Sequence, residues 1–153
     1  LKAFEDNGIT ATEASAPLVA DYDRPTAQEM IQPLLSSGTK FDCIIANNDA
    51  MALGCVEACK DVGIDIDFPI VGIDCTKDGA QAVEEGSLAM TVFQNPVGQG
   101  RGAVIAAMNM INGDAVNKGM EEYALDDSGK SYSDSIAWVP FEPVAKDNVA
   151  DYM

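Results

Sequence analysis

Three times along this chain a short apolar run stops at Asn, Asp or Gln and gives way to a stretch with helical spacing. Phe41-Asp42-Cys43-Ile44-Ile45-Ala46 runs into Asn47-Asn48-Asp49. Phe68-Pro69-Ile70-Val71-Gly72-Ile73 ends at Asp74, and Ala89-Met90-Thr91-Val92-Phe93 ends at Gln94-Asn95-Pro96. Short, continuous apolar runs bounded by turn residues read as strands buried on both faces, the kind found in parallel sheets covered by helices. Between the first two, Ala52, Cys55, Val56, Cys59 and Val62 fall on one helical stripe that stops at Gly63. A second helix is expected over 78–85, ending at Gly86. Upstream, a helix begins at Leu1 and Phe4 and stops at Asn7-Gly8. Ala27, Met30, Ile31, Leu34 and Leu35 form another stripe, with Pro33 expected to kink its last turn. Downstream come a long small-residue helix over 97–111, a polar stretch over 119–134 with an edge strand, and a final strand over 136–141. Strands alternating with helices specify an α/β fold, a three-layer sandwich with a mainly parallel sheet.

A length of 153 residues fits one domain. Composition then removes whole function classes. The chain has no His, which excludes His-based acid–base catalysis, Ser–His and Cys–His nucleophiles, and imidazole zinc sites. Nine Lys and Arg against 25 Asp and Glu leave a net charge of −16, which repels nucleic acid and anionic membrane surfaces. No run approaches the ~20 apolar residues of a membrane-spanning helix. The opening at Leu1, inside a helix, reads as a piece of a longer protein.

In open α/β sheets, ligands bind beyond the carboxyl ends of the strands. The residues expected there are Asn48, Asp49, Asp74, Gln94 and Asn95. An ionised carboxylate that accepts hydroxyl protons, beside amides that both donate and accept, is the inventory for holding a polyol or sugar. The competing reading is that these are helix caps and turn residues. Three successive strand ends with the same character favour a site. This set does not by itself separate a sugar from another small polar ligand.

The segments Ile45-Ala46-Asn47-Asn48-Asp49-Ala50-Met51-Ala52-Leu53-Gly54, Val71-Gly72-Ile73-Asp74 and Thr91-Val92-Phe93-Gln94, in that order, resemble the carboxyl-terminal half of the sugar-binding proteins of ABC transporters. These are the galactose/glucose- and ribose-binding proteins with the type I periplasmic-binding fold. Tyr22-Asp23-Arg24 and the tail Val139-Pro140-Phe141 to Lys146-Asp147-Asn148 extend the resemblance over nearly the whole chain. It implies that Asn48, Asp74 and Gln94 hydrogen-bond sugar hydroxyls and that Tyr22 packs on the ring, where Trp or Phe is usual in the family. Ile73 stands where the ribose type has Phe and the galactose type Val. It also implies that residues 1–153 are one lobe of a two-lobed protein, that Gln94-Asn95-Pro96 is a hinge crossing, and that 97–112 pack on the other lobe.

The implied function is capture of a monosaccharide, pentose or hexose, in an interlobe cleft and delivery to an ABC permease. No catalytic residue, metal or cofactor is expected, and the location is extracytoplasmic, in the periplasm or on a membrane-anchored lipoprotein. Without the other lobe, the helix over 97–111 is expected to mediate dimerisation or domain exchange. The alternative is the effector-binding core of a transcription repressor with the same fold. Gly98-Gln99-Gly100-Arg101-Gly102-Ala103 fits the dinucleotide-binding pattern but lacks a following strand that ends in an acid; close helix packing or hinge movement is the simpler use. Cys43, Cys55, Cys59 and Cys75 read as structural, with Cys75 the one placed for thiol reactivity, and Trp138 as core or hinge packing.

Overall fold

The computed structural model describes residues 1–131 and 133–153; Tyr132, inside the stretch 119–134 read as polar, lies outside the described residues. A short first helix, α1 (Lys2–Asp6), buries none of its side chains. Helix α2 (Arg24–Ser36) begins where the Asp23 carboxylate accepts from the Thr26 amide at 2.9 Å, with Pro25 in the first turn, where its missing amide has no helical partner to lose. Its buried stripe is Ala27, Ile31 and Leu35, and Pro33 lies within its final turn.

Three strand–helix units follow. Strand β1 (Ile44–Ile45) leads to α3 (Asp49–Asp61), β2 (Ile70–Val71) to α4 (Lys77–Glu85), and β3 (Met90–Phe93) to α5 (Pro96–Asn112). Each helix starts on a side-chain cap: Asn48 for α3, Thr76 for α4 and Asn95 for α5. Beyond α5 the chain forms β4 (Ala124–Leu125), a 3-10 turn at Ser133–Ser135, β5 (Ala137–Trp138), β6 (Glu142–Ala145) and a closing 3-10 turn at Val149–Tyr152.

The main sheet has the order β1-β2-β3-β6. Its first three strands are parallel, and β6 runs antiparallel to β3, from Met90 opposite Ala145 to Phe93 opposite Glu142. One face carries Ile70, Thr91 and Val144, all at most 1 % exposed, beneath α3 and α4. The core continues through Ala52, Val56 and Cys59 of α3 and Val83 of α4 to Ile31 and Leu35 of α2. Helices α2 and α3 approach so closely at Gly54 that a Cβ there would run into the Arg24 carbonyl oxygen. On the opposite face Val71, Met90 and Val92 are only half-buried and Ile45 is 56 % exposed. The α/β class and mainly parallel sheet agree with the sequence reading.

Three details differ from it. The first strand lies at the sheet edge and exposes Ile45, so it is not buried on both faces, and Cys43 is exposed just outside it. The strand that closes the main sheet is Glu142–Ala145, whereas residues within 136–141 pair with β4 in a separate two-stranded sheet. Trp138 is 53 % exposed and is not core; its indole N–H donates to Asp126 Oδ1 at 3.2 Å.

Helix α5 stands apart from the core. Gly98 and Gly102 lie against Tyr123, whose hydroxyl and ring edge would sit 2.8 and 3.3 Å from a Cβ at those positions. Gly98 and Gly102 therefore serve close packing, whereas a Cβ at Gly100 would meet open space. Val97, Val104, Met108 and Ile111, one face of the helix by spacing, are each more than half exposed. Among the described residues, no helix is long and apolar enough to cross a membrane.

Candidate functional site

The parallel ladder continues past the formal strand ends and brings the polar residues together. The Asp49 amide donates to the Ile73 carbonyl and the Asp74 amide to the Val92 carbonyl, each at 2.8 Å. Residues 48–49, 73–74 and 92–94 therefore lie side by side at the carboxyl end of the sheet. Gln94 Nε2 donates to Asp74 Oδ1 at 2.8 Å, and both side chains are partly open to solvent. The Asn48 side chain has two jobs. Its Oδ1 caps α3 by accepting from the Met51 amide at 2.9 Å, and its Nδ2 points at the Tyr22 carbonyl 3.5 Å away. Tyr22 itself is 69 % exposed, on a loop where Asp21 and Tyr22 both have positive φ, 48° and 62°. The structure thus joins the Asp74 and Gln94 side chains at neighbouring strand ends and brings Asn48 to the Tyr22 loop through its backbone carbonyl rather than its ring. Asn95 is a cap only, accepting from the Gly98 amide at 2.8 Å.

Asp49 behaves differently from the position read for it. It is wholly buried and faces away from the open end of the sheet, into the layer between strands and helices. Its Oδ1 accepts from the Thr91 hydroxyl at 2.6 Å, and its Oδ2 from the Thr76 amide at 2.7 Å and the Thr76 hydroxyl at 3.1 Å. Gly72 and Gly79 make the space: a Cβ at either would overlap the Asp49 carboxylate. Sequence reasoning treated Asp49 as one more strand-end acid. The signals that could have separated it are these two glycines and two threonines, scattered over three segments.

Burial is the main cause that raises the Asp74 pKa above the usual carboxylate value of 3.8; the Asp49 charge adds to it, and the hydrogen bond from Gln94 opposes it. A carboxyl that holds its proton more tightly in the folded state makes the fold less stable as pH climbs through the interval between the two pKa values. Above that interval the loss stays constant. Asp74→Asn keeps an oxygen that can accept from Gln94 and removes the charge. It is expected to melt above wild type at neutral pH, with the difference vanishing below roughly pH 4. Thermal melts over a pH series check this, and a variant that melts lower at pH 7 contradicts it. Burial, then the Asp49 charge, likewise raises the Cys75 thiol, and burial pushes Cys55 up to about 11, so neither is an activated nucleophile.

Two surface grooves of about 300 Å³ lie elsewhere, one between Arg24, Glu57 and Asp78, the other between α5 and residues 135–139. Neither includes Asn48, Asp74, Gln94 or Tyr22. The strand-end cluster is an open polar platform.

Residues 1–115 match the sequence profile of a family described as "Periplasmic binding protein domain". The chain is 32 % identical, over 86 % of its length, to the D-galactose/methyl-galactoside binding periplasmic protein of Haemophilus influenzae. It is 38 % identical, over 67 % of its length, to the ribose import binding protein of Salmonella typhimurium. The alignments take in 38 % and 34 % of those two proteins, so the chain spans little more than a third of their length. Among solved structures, an ABC transporter solute binding protein from Bacillus halodurans with bound myo-inositol superposes with a TM-score of 0.67 at 34 % identity, over 87 % of this chain and 40 % of that one.

Proposed function

This chain belongs to the periplasmic binding protein domain family, and from that premise we propose that it is the carboxyl-terminal lobe of the solute-binding component of an ABC transporter. The protein that carries it captures a monosaccharide or a related cyclic polyol in a cleft between two lobes and hands it to the permease. It works outside the cytoplasmic membrane, in the periplasm or tethered as a lipoprotein. It performs no covalent chemistry.

The observation that carries this reading is the hydrogen-bonded Asp74–Gln94 pair at the strand end next to that of Asn48, whose side chain reaches the backbone of the Tyr22 loop, with no acid–base pair or activated nucleophile among them. Asp74 accepts hydroxyl protons, Asn48 and Gln94 donate and accept, and the Tyr22 ring suits the C–H face of a pyranose. An open platform fits half of an interlobe site, because the second lobe supplies the opposite wall. The ligands of these relatives, galactose, ribose and myo-inositol, share vicinal hydroxyls on a small ring. The exposed face of α5 is the surface that meets the second lobe; left uncovered, the same face drives self-association of the isolated lobe. Closure is a shift of population, so the ligand must touch both lobes to favour the closed state.

A thermal-shift screen of the full-length protein against D-ribose, D-galactose and myo-inositol, followed by calorimetry, tests the reading. A true ligand at 100 times its Kd stabilises by about 2.7 kcal/mol. Stabilisation by one of these probes is the expected result. No response to any of them, or a basic helix-turn-helix in the upstream sequence, overturns it.

A further inference from the structure

We propose that Asp49 is a positioning residue for the strand-end cluster: its buried carboxylate, relayed through the Thr91 hydroxyl, holds the turn at Asp74 and Cys75 and so keeps Asp74 and Gln94 in place beside Asn48. The inference rests on the reading of that cluster as the ligand site, and it concerns two residues that cannot touch a ligand themselves. Asp49 and Thr91 are both 0 % exposed.

The turn needs holding. Asp74 has φ 109° and Cys75 φ 56°, two consecutive side-chain-bearing residues at positive φ. Such conformations are costly and persist where the surroundings over-determine them. Here both amides that follow Asp74 are pinned. The Cys75 amide donates to Thr91 Oγ1 at 3.2 Å, and the Thr76 amide donates to Asp49 Oδ2 at 2.7 Å. The Thr91 hydroxyl then donates its own proton to Asp49 Oδ1 at 2.6 Å, so one carboxylate holds both amides, the second directly and the first through a hydroxyl. That carboxylate is itself fixed, because Asp49 opens α3, follows Asn48 directly, and donates its amide to Ile73 at 2.8 Å. The network therefore ties the ends of β1, β2 and β3 behind the three side chains that face outward from them. A buried polar cluster specifies one arrangement when every member is satisfied, and among the described residues no buried side-chain nitrogen or oxygen lacks a partner.

Thr91 permits a clean test. Thr91→Val keeps the shape and β-branching of the strand residue and deletes the hydroxyl; Thr91→Ser deletes a buried methyl and keeps the hydroxyl. If Thr91 serves packing alone, Ser is the worse substitution. If it relays Asp49, Val is. The first readout is NMR of the full-length protein without sugar, following the side-chain amides of Asn48 and Gln94 and the backbone amides of Cys75 and Thr76. The second is calorimetry of the full-length protein with the tightest binder among D-ribose, D-galactose and myo-inositol. Thr91→Val and Asp49→Asn are expected to shift all four groups of resonances and to weaken binding roughly tenfold or more. Thr91→Ser is expected to leave the resonances near wild type and binding within about threefold. Val83→Ala, a core change in α4, controls for lost stability: it lowers the melting temperature and leaves both readouts in place. Unchanged resonances in Thr91→Val, or a larger disturbance in Thr91→Ser than in Thr91→Val, overturns the proposal. If the full-length protein binds none of the three probes, the functional reading fails while the resonances still decide the role of Asp49.

Discussion

Asp74→Ala in the full-length protein is expected to weaken sugar binding by about 2–4 kcal/mol, roughly 30- to 1000-fold. Hydrogen bonds to an ionised acceptor are the strong ones, and this carboxylate is the charged acceptor at the open end of the sheet. The substitution also strips Gln94 of the oxygen it donates to at 2.8 Å, so the side chain proposed to bind a second hydroxyl loses its orientation. Removing the charge relieves the burial and the neighbouring Asp49 charge that oppose ionisation of Asp74, while an alanine at φ 109° adds backbone strain and loses the Gln94 hydrogen bond. Calorimetry beside thermal melts separates the two effects. Affinity within threefold of wild type ends the assignment of Asp74 as a ligand contact.

The second large effect runs against helix propensity. Gly79 lies in the first turn of α4, and a helical Gly→Ala change ordinarily stabilises by about 0.5–1 kcal/mol. Here the added methyl would overlap Asp49 Oδ2, a buried and fully committed carboxylate with no room to retreat. Gly79→Ala is expected to destabilise the chain by about 3 kcal/mol, at the upper end of what overpacking costs. Urea denaturation checks it: an unchanged or higher midpoint would mean that Asp49 is not packed as described.

Much of this architecture is written locally. The three apolar runs, their polar ends and the helical stripe Ala52–Cys55–Val56–Cys59 lie within single elements, and all four of those helical residues are buried. The placement of Asn48, Asp74 and Gln94 at the carboxyl end of the sheet was legible for the same reason, since each lies within three residues of a strand's last residue. What local patterns could not carry was pairing between distant segments. Residues 136–141 look like the closing strand because Ile136 and Val139 are β-branched, yet the strand against β3 contains Pro143. A sheet edge tolerates that proline because its missing amide can face outward. Cys43 was read as buried because an apolar run does not say whether a neighbouring strand covers it. Asp49 was missed because a first-turn acid on a helix usually faces water and favours the helix dipole. Its burial depends on Gly72, Thr76, Gly79 and Thr91, which lie 23 to 42 residues away in sequence.

Two carboxylates, Asp74 in front and Asp49 behind, occupy the end of the sheet, on a chain whose acidic residues already outnumber its basic ones 25 to 9. Arg24, the cation nearest Tyr22 in sequence, is engaged at 2.5 Å by Glu57 and at 3.9 Å by Asp78. On the proposed reading, a sugar acid or phosphorylated sugar would be repelled by that negative field, while an uncharged ring bearing only hydroxyls would not. The expected consequence is selection by charge first and by stereochemistry second.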